Sequence, residues 1–232
     1  MNARHYEIEN IHLAEEGMNR LEWVRAQMPI LQHIKKEFQE TRPFAGLRIG
    51  ICLHIEAKTG IWIETLKAGG ADIAITGSPG TTHDEVAAAL VEIYSCQVFS
   101  KRNETFEQHL KFADQVLKKK PNLIADNGAD LHALLNSDPD LTQLRSTIRG
   151  ATEETTTGAN RLREEMQPFP FPTVIINDTR AKRIIENRYG VGQSVVDGIM
   201  RSTNALIGGK KITVVGYGYC GQGVARRLQG LG

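Results

Sequence analysis

The residues of this chain whose types and spacing suit chemistry fall into two groups. Gly216, Gly218 and Gly221 fit G-x-G-x-x-G, directly after KITVV and opening GQGVARRLQ. In a strand–turn–helix setting the first glycine permits the tight turn, the second lets backbone approach a pyrophosphate, and the third lets helix pack on strand. The helix N-terminus then offers unpaired N–H groups and partial positive charge to phosphates. The second group is His54, Ser78, Asn127 and Asn177, the polar residues that close the apolar runs LRIGICLH, ADIAITGS, NLIADN and TVIIN. In an open parallel sheet, ligands bind beyond the carboxyl ends of the strands, so these four side chains are expected to border one crevice.

The elements that must hold them follow from the pattern. Those runs, together with CQVFS, alternate with amphipathic stretches such as AKTGIWIETLKAG and HDEVAAALVEIY. This alternation predicts an α/β fold, a doubly wound parallel sheet of Rossmann-like type with helices on both faces. Ahead of it, Leu13, Met18, Leu21, Val24, Met28, Leu31, Ile34 and Phe38 recur at helical steps, with Pro29 dividing the stretch. QPFPFPT enforces an extended path before TVIIN. NDTRAKRIIENRYG and GQSVVDGIMRSTNALIGG are two predicted helices leading into a strand at KKITVV. One strand and one helix cannot bury a sheet, so a second Rossmann fold is expected to begin here in a longer enzyme, rather than to be completed by another chain. The acidic ribose ligand of such folds, expected about 20 positions beyond the glycines, falls past Gly232, so the turn alone does not separate NAD from NADP.

Composition bounds the rest. Of 232 residues, 41% are apolar and 24% charged, enough for a sizeable core. A net charge of +1 argues against nucleic acid and anionic membranes as partners. Cys52, Cys96 and Cys220 are widely spaced and in no metal-ligand pattern, which suits a reducing, cytoplasmic setting and no metal site. No apolar run approaches the ~20 residues that span a bilayer, and MNARHYEIEN has no signal core, so export is not expected.

RGATEETTTG, INDTRAKRIIENRYG, SVVDGIMRSTNALIGGK and VVGYGYCGQG, in that order, resemble the S-adenosylhomocysteine hydrolases, and CLHIEAKTGIWIETL and ADNGADL add to the match. The resemblance covers essentially the whole chain. It implies a substrate domain over 1–180, a hinge over 181–195 and the first part of an NAD-binding Rossmann domain over 196–232. It also implies NAD as cofactor, a nucleoside substrate, a place in one-carbon metabolism and a homotetramer. The implied reaction oxidises the ribose 3′ carbon, which acidifies the 4′ hydrogen. Loss of that proton expels homocysteine from the 5′ carbon; water then adds, and the ketone is reduced back.

By the same resemblance, Lys182 helps deprotonate the 3′ hydroxyl, Glu154 accepts from the ribose hydroxyls, Asn177 steadies the lysine region and His54 acts as acid or base near the leaving group. Thr155, Thr156, Thr157 and Asn187 serve the nicotinamide end of NAD, and Gly216, Gly218 and Gly221 its pyrophosphate. Each residue also has a plainer reading. Lys182 and Glu186 suit a surface pair on a helix. Glu154 and the threonines suit a capping cluster. His54 suits a satisfied core histidine, and His132 a helix surface.

The departures from the family pattern gather near the chemistry. Asn127 stands where the family has an aspartate assigned acid–base work, and an amide cannot exchange a proton. Glu186 replaces an aspartate beside the lysine. Ser78 lies in TGSPGTTHD, an atypical loop. Glu56 and Lys58 occupy the base-recognition segment, where a lysine donor suits a carbonyl such as that of hypoxanthine. Asp130 is grouped with these as substrate-binding, although the helical turn is expected to aim it elsewhere. Three activities follow: hydrolysis of S-adenosylhomocysteine or its inosyl analogue, 3′ oxidation with 5′ elimination on another nucleoside, or NAD and nucleoside binding without turnover.

Overall fold

The computed structural model describes residues 6–232. They form two compact units, which meet in sequence between Val174 and Ile175.

The first unit is built on a sheet of β1 (Arg48–Cys52), β2 (Asp72–Thr76), β3 (Gln97–Val98), β4 (Leu123–Asp126), β5 (Gly150–Glu153) and β6 (Thr173–Ile175). Its order is β3-β2-β1-β4-β5-β6, the order of the doubly wound fold. The pairs β1–β2, β1–β4, β2–β3 and β4–β5 are parallel, with Ile49 level with Ile73 on one side and Leu123 on the other. The helices of this unit are α1 (Ala14–Arg25), α2 (Pro29–Thr41), α3 (Ala57–Ala68), α4 (Asp84–Glu92), α5 (Phe106–Lys118), α6 (Asp130–Ser137), α7 (Thr142–Thr147) and α8 (Thr156–Glu164). Pro29 opens α2, where its missing N–H costs nothing.

Parallel strands carry apolar residues on both faces because helices cover both. Ile49, Ile51, Ile73, Ile75 and Leu90 accordingly share one cluster, while Phe112, Val116, Leu117, Ile124 and Leu131 form another. The chain leaves β1 in one direction across the sheet and resumes at β4 in the other. The loops after these two strands therefore part, and a crevice opens between them.

The second unit begins at the end of β6. A 3-10 turn (Ile176–Asp178) is followed by a π-helical stretch (Ala181–Gly190) that runs directly into α9 (Val191–Thr203), and α10 (Tyr219–Gln229) closes it. Val196, Ile207 and Leu228 form its small core. Among the described residues no helix is long and apolar enough to cross a membrane.

Two expectations are corrected, and one strand is added. KITVV forms no strand, because a lone extended segment has no neighbour to complete its ladder. GATE, by contrast, is β5; its alternately half-buried residues give no apolar run to recognise. His132 is fully buried rather than on a helix surface, because α6 turns it inward onto Asp126.

Candidate active site

His54 follows β1 and is exposed, so it is not a core histidine. Its Nδ1 lies 3.0 Å from Thr81 Oγ1, whose own hydrogen goes to Ser78 O at 2.7 Å. With the threonine proton committed, His54 Nδ1 must donate, and the neutral ring keeps Nε2 as an acceptor. Ser78 serves this arrangement through its backbone carbonyl, which also receives Thr81 N at 3.0 Å.

Glu56 is the N-cap of α3, its Oε1 accepting from Thr59 N at 3.0 Å. Lys58, in the first turn, donates to the other oxygen at 3.1 Å and is largely exposed. One carboxylate thus holds both the helix start and the lysine.

Asn127 follows β4. Its Nδ2 donates to Glu154 Oε2 at 3.2 Å, and Glu154 N donates to Asp126 O at 3.0 Å. The residues after β4 and β5 are therefore tied by side chain and backbone alike. Beneath them lies Glu153, fully buried. Its carboxylate accepts from Gly128 N, Ala129 N, Thr155 N and Thr155 Oγ1 at 2.7–3.0 Å. Burial pushes its pKa up, against the opposing pull of those donors. Thr155 also caps α8 through Gly158 N at 2.9 Å, so Thr156 and Thr157 stand exposed in the first turn.

Two buried networks flank this floor. Asp126 Oδ2 accepts from His132 N at 3.0 Å and pairs with His132 Nδ1 at 2.8 Å, and the ring packs edge-on to Phe169. His109 Nε2 meets Asp130 Oδ2 at 3.0 Å, while Arg161 Nη1 donates to Asp130 Oδ1 at 2.8 Å. Asp130 is thus turned onto protein partners. Burial opposes a charge on His109, but the hydrogen bonds and charges of Asp130 and Glu104 outweigh it and raise its pKa to about 9. Burial pushes the Asp130 pKa up, but the hydrogen bonds and charges of His109 and Arg161 outweigh it and lower it. Asp126, His132 and Glu153, like Cys52, His109 and Asp130, bring ligand-type atoms within 4.8 Å of one another. The carboxylates in both sets are already engaged by protein donors, and burial holds the Cys52 thiol well above its ordinary pKa.

In the second unit, Asn187 Nδ2 donates to Asn177 Oδ1 at 3.3 Å, linking the turn after β6 to the π-helical stretch. Lys182 Nζ pairs with Glu186 Oε1, and Lys182 N is capped by Thr179 Oγ1 at 3.2 Å. The glycine turn fits a dinucleotide phosphate position by position. Gly216 has φ +89°, which other residues rarely adopt; nothing stands within 4 Å of a Cβ built on Gly218; and one on Gly221 would lie 2.1 Å from Gly216 O. Turn, open approach and close packing are the three requirements of the motif.

The sequence alone does not single out Glu153, Thr81, His109 or His132 as site residues. Glu153 carried a signal, since it sits beside Glu154 and three residues before Thr156. The alternation of β5 turns one of two adjacent glutamates inward and leaves the other at the rim.

Residues 5–140 match the family S-adenosyl-L-homocysteine hydrolase, and residues 187–232 match S-adenosyl-L-homocysteine hydrolase, NAD binding domain. An S-inosyl-L-homocysteine hydrolase of Methanopyrus kandleri is 48% identical over 98% of this chain and 54% of its own. An adenosylhomocysteinase of Pyrococcus abyssi is 46% identical over 98% of this chain and 54% of its own. An S-inosyl-L-homocysteine hydrolase of Methanocaldococcus jannaschii is 46% identical over 98% of this chain and 55% of its own. The chain spans about half the length of the curated relatives it matches.

Proposed function

We infer, for a chain that belongs to the S-adenosyl-L-homocysteine hydrolase family, that the protein hydrolyses the thioether of a purine nucleoside joined to homocysteine, with NAD as resident cofactor. The observation that carries this reading is the grouping of His54, Asn127 and Glu154 at the ends of β1, β4 and β5, around the point where the strand order reverses.

NAD, when bound, would supply the two-electron oxidation of the ribose 3′ carbon and its reversal; Gly216, Gly218 and Gly221 would hold its pyrophosphate, and the family resemblance gives Thr155, Thr156, Thr157 and Asn187 to its nicotinamide end. Glu154 accepts hydrogen bonds from the ribose hydroxyls. Lys182 receives the 3′ hydroxyl proton after passing its own to Glu186, its partner in the pair. Asn177 steadies this region through Asn187. His54 Nε2, left as acceptor by the bond to Thr81, takes up a proton from solvent, passes it to the departing sulfur at the 5′ position, and is then free to take one from the entering water. The 4′ proton is lost to solvent on elimination and replaced from solvent on water addition, so the sum is thioether plus water to alcohol plus thiol. The hinge at 181–195, a homotetramer and a cytoplasmic, one-carbon setting belong to the same proposal.

Lys58 directs the choice of base. Glu56 is committed to Thr59 N and to Lys58 Nζ, which leaves an ammonium as the adaptable group there. Three donors and no acceptor suit the 6-oxo group of hypoxanthine better than the amino group of adenine. Asp130, engaged by His109 and Arg161, supports the site from behind. Homocysteine release from the inosyl conjugate at a higher kcat/KM than from the adenosyl conjugate, reversed in Lys58→Glu, is the expected result. Release from neither conjugate would sink the reading. Because Asn127 cannot exchange a proton, the second reading is elimination on another nucleoside; 3′ oxidation without thiol release from either conjugate would favour it.

A further inference from the structure

We propose that Glu153 is a positioning residue: its buried carboxylate ties the loop after β4 to the loop after β5 and so sets Asn127 against Glu154. The proposal rests on the hydrolase reading only for its kinetic consequence; the geometry stands by itself.

Three observations carry it. First, Glu153 takes donors from both loops, Gly128 N and Ala129 N at 3.0 Å on one side and Thr155 N at 2.7 Å on the other. Second, the loop it holds is in a conformation that L-residues rarely keep unaided. Gly128 has φ +94° and Ala129 φ +64°, and Ala129 has no side-chain hydrogen bond to hold it there. The two N–H groups turned onto one carboxylate are what this conformation supplies. Third, the seat is made to measure. A Cβ on Gly158 would lie 2.2 Å from the Glu153 carboxyl carbon, so the first turn of α8 can close over the group only with glycine there. Arg161 completes the clamp, donating from Nη1 to Gly128 O and to Asp130 Oδ1. With both loops fixed, the residues adjoining the clamp on each strand, Asn127 and Glu154, meet at 3.2 Å.

A glutamine at 153 has one acceptor oxygen and turns an amide donor toward backbone donors, so both loops lose their common anchor. The test is the intact protein carrying Glu153→Gln, examined by crystallography and by kinetics with the inosyl and adenosyl conjugates. Expected are a displaced 127–129 loop and a broken Asn127–Glu154 contact. Expected too are a kcat reduced about 10²-fold and a KM changed far less, as misplacement by about 1 Å produces. Glu153→Gln combined with Asn127→Ala should lose no more than the worse single variant, because both act through one contact. An Asn127–Glu154 contact unchanged in Glu153→Gln overturns the proposal, as does full additivity in the double variant. If Glu153→Gln does not fold, Gly158→Ala, which pushes on the same carboxylate, should displace the same loop; an undisplaced loop there overturns the proposal equally. A wild-type protein that releases no homocysteine defeats the hydrolase reading, while the crystallographic comparison still decides the positioning role.

Discussion

Asn127 Nδ2 donates to Glu154 Oε2 across 3.2 Å, an amide where a second carboxylate would meet the first. The family resemblance implies an aspartate at 127. Restoring it with Asn127→Asp would set two like charges at that distance, and the pair would retain a proton that isolated carboxylates release. That proton is the acid–base group the amide lacks. Homocysteine release is expected to rise in Asn127→Asp, with a new limb in the pH–rate profile. Because the folded pair binds more protons than the unfolded chain, the stability of this variant relative to wild type should fall as pH rises above the ordinary carboxylate range. Thermal melts across pH check the second half independently of activity.

Thr81 decides which nitrogen of His54 is free. Thr81→Val removes the acceptor at Nδ1 and leaves Ser78 O with only the Thr81 N–H, so the ring loses both its tautomer and its orientation. Loss of His54 itself, as His54→Asn, should cost on the order of 10²–10⁴ in kcat, the range of acid–base groups. Thr81→Val should cost less, and Thr81→Ser should restore most of it. Steady-state kinetics on the three variants is the check.

His109 gives a pH signature. Its pKa rises from 6.5 to about 9 on folding, so its contribution to stability is fully present below the lower value and is lost as pH rises through the upper one. The contribution is on the order of 3 kcal/mol. Denaturation midpoints should decline between about pH 7 and pH 9, and His109→Gln should flatten that decline. A slope unaffected by the substitution would assign it to other groups.

The sequence carried the doubly wound fold because buried parallel strands are apolar along their length, as at β1 and β2. It concealed β5, where burial alternates and GATE offers only one apolar side chain, Ala151. The rim of the site was legible in His54, Asn127 and Glu154, because polar residues at strand ends are visible in one dimension. The floor was not. His109 meets Asp130 across 21 positions and Glu153 meets Gly128 across 25, and no local pattern encodes such distances. Asp126 and His132 are six apart, and only the turn before α6 brings them together.

The glycine turn separates space from strain. Gly218→Ala meets nothing within 4 Å and should leave stability unchanged, yet its methyl occupies the approach a pyrophosphate needs. Gly221→Ala presses on Gly216 O at 2.1 Å and should cost about 1–3 kcal/mol of stability as well. Calorimetric titration of NAD together with chemical denaturation distinguishes them: the first variant should lose affinity alone, the second both.

Oxidation at the 3′ carbon matters to hydrolysis only because it labilises the 4′ hydrogen, and solvent isotopes read that step directly. The intact protein is incubated with S-inosylhomocysteine in deuterated, oxygen-18-labelled water, and the product nucleoside is analysed by NMR and mass spectrometry. Expected are deuterium at the 4′ carbon and labelled oxygen in the 5′ hydroxyl. A product with labelled oxygen but the original 4′ hydrogen would contradict the mechanism, because direct displacement at the 5′ carbon would then account for the chemistry without Lys182, Glu154 or NAD.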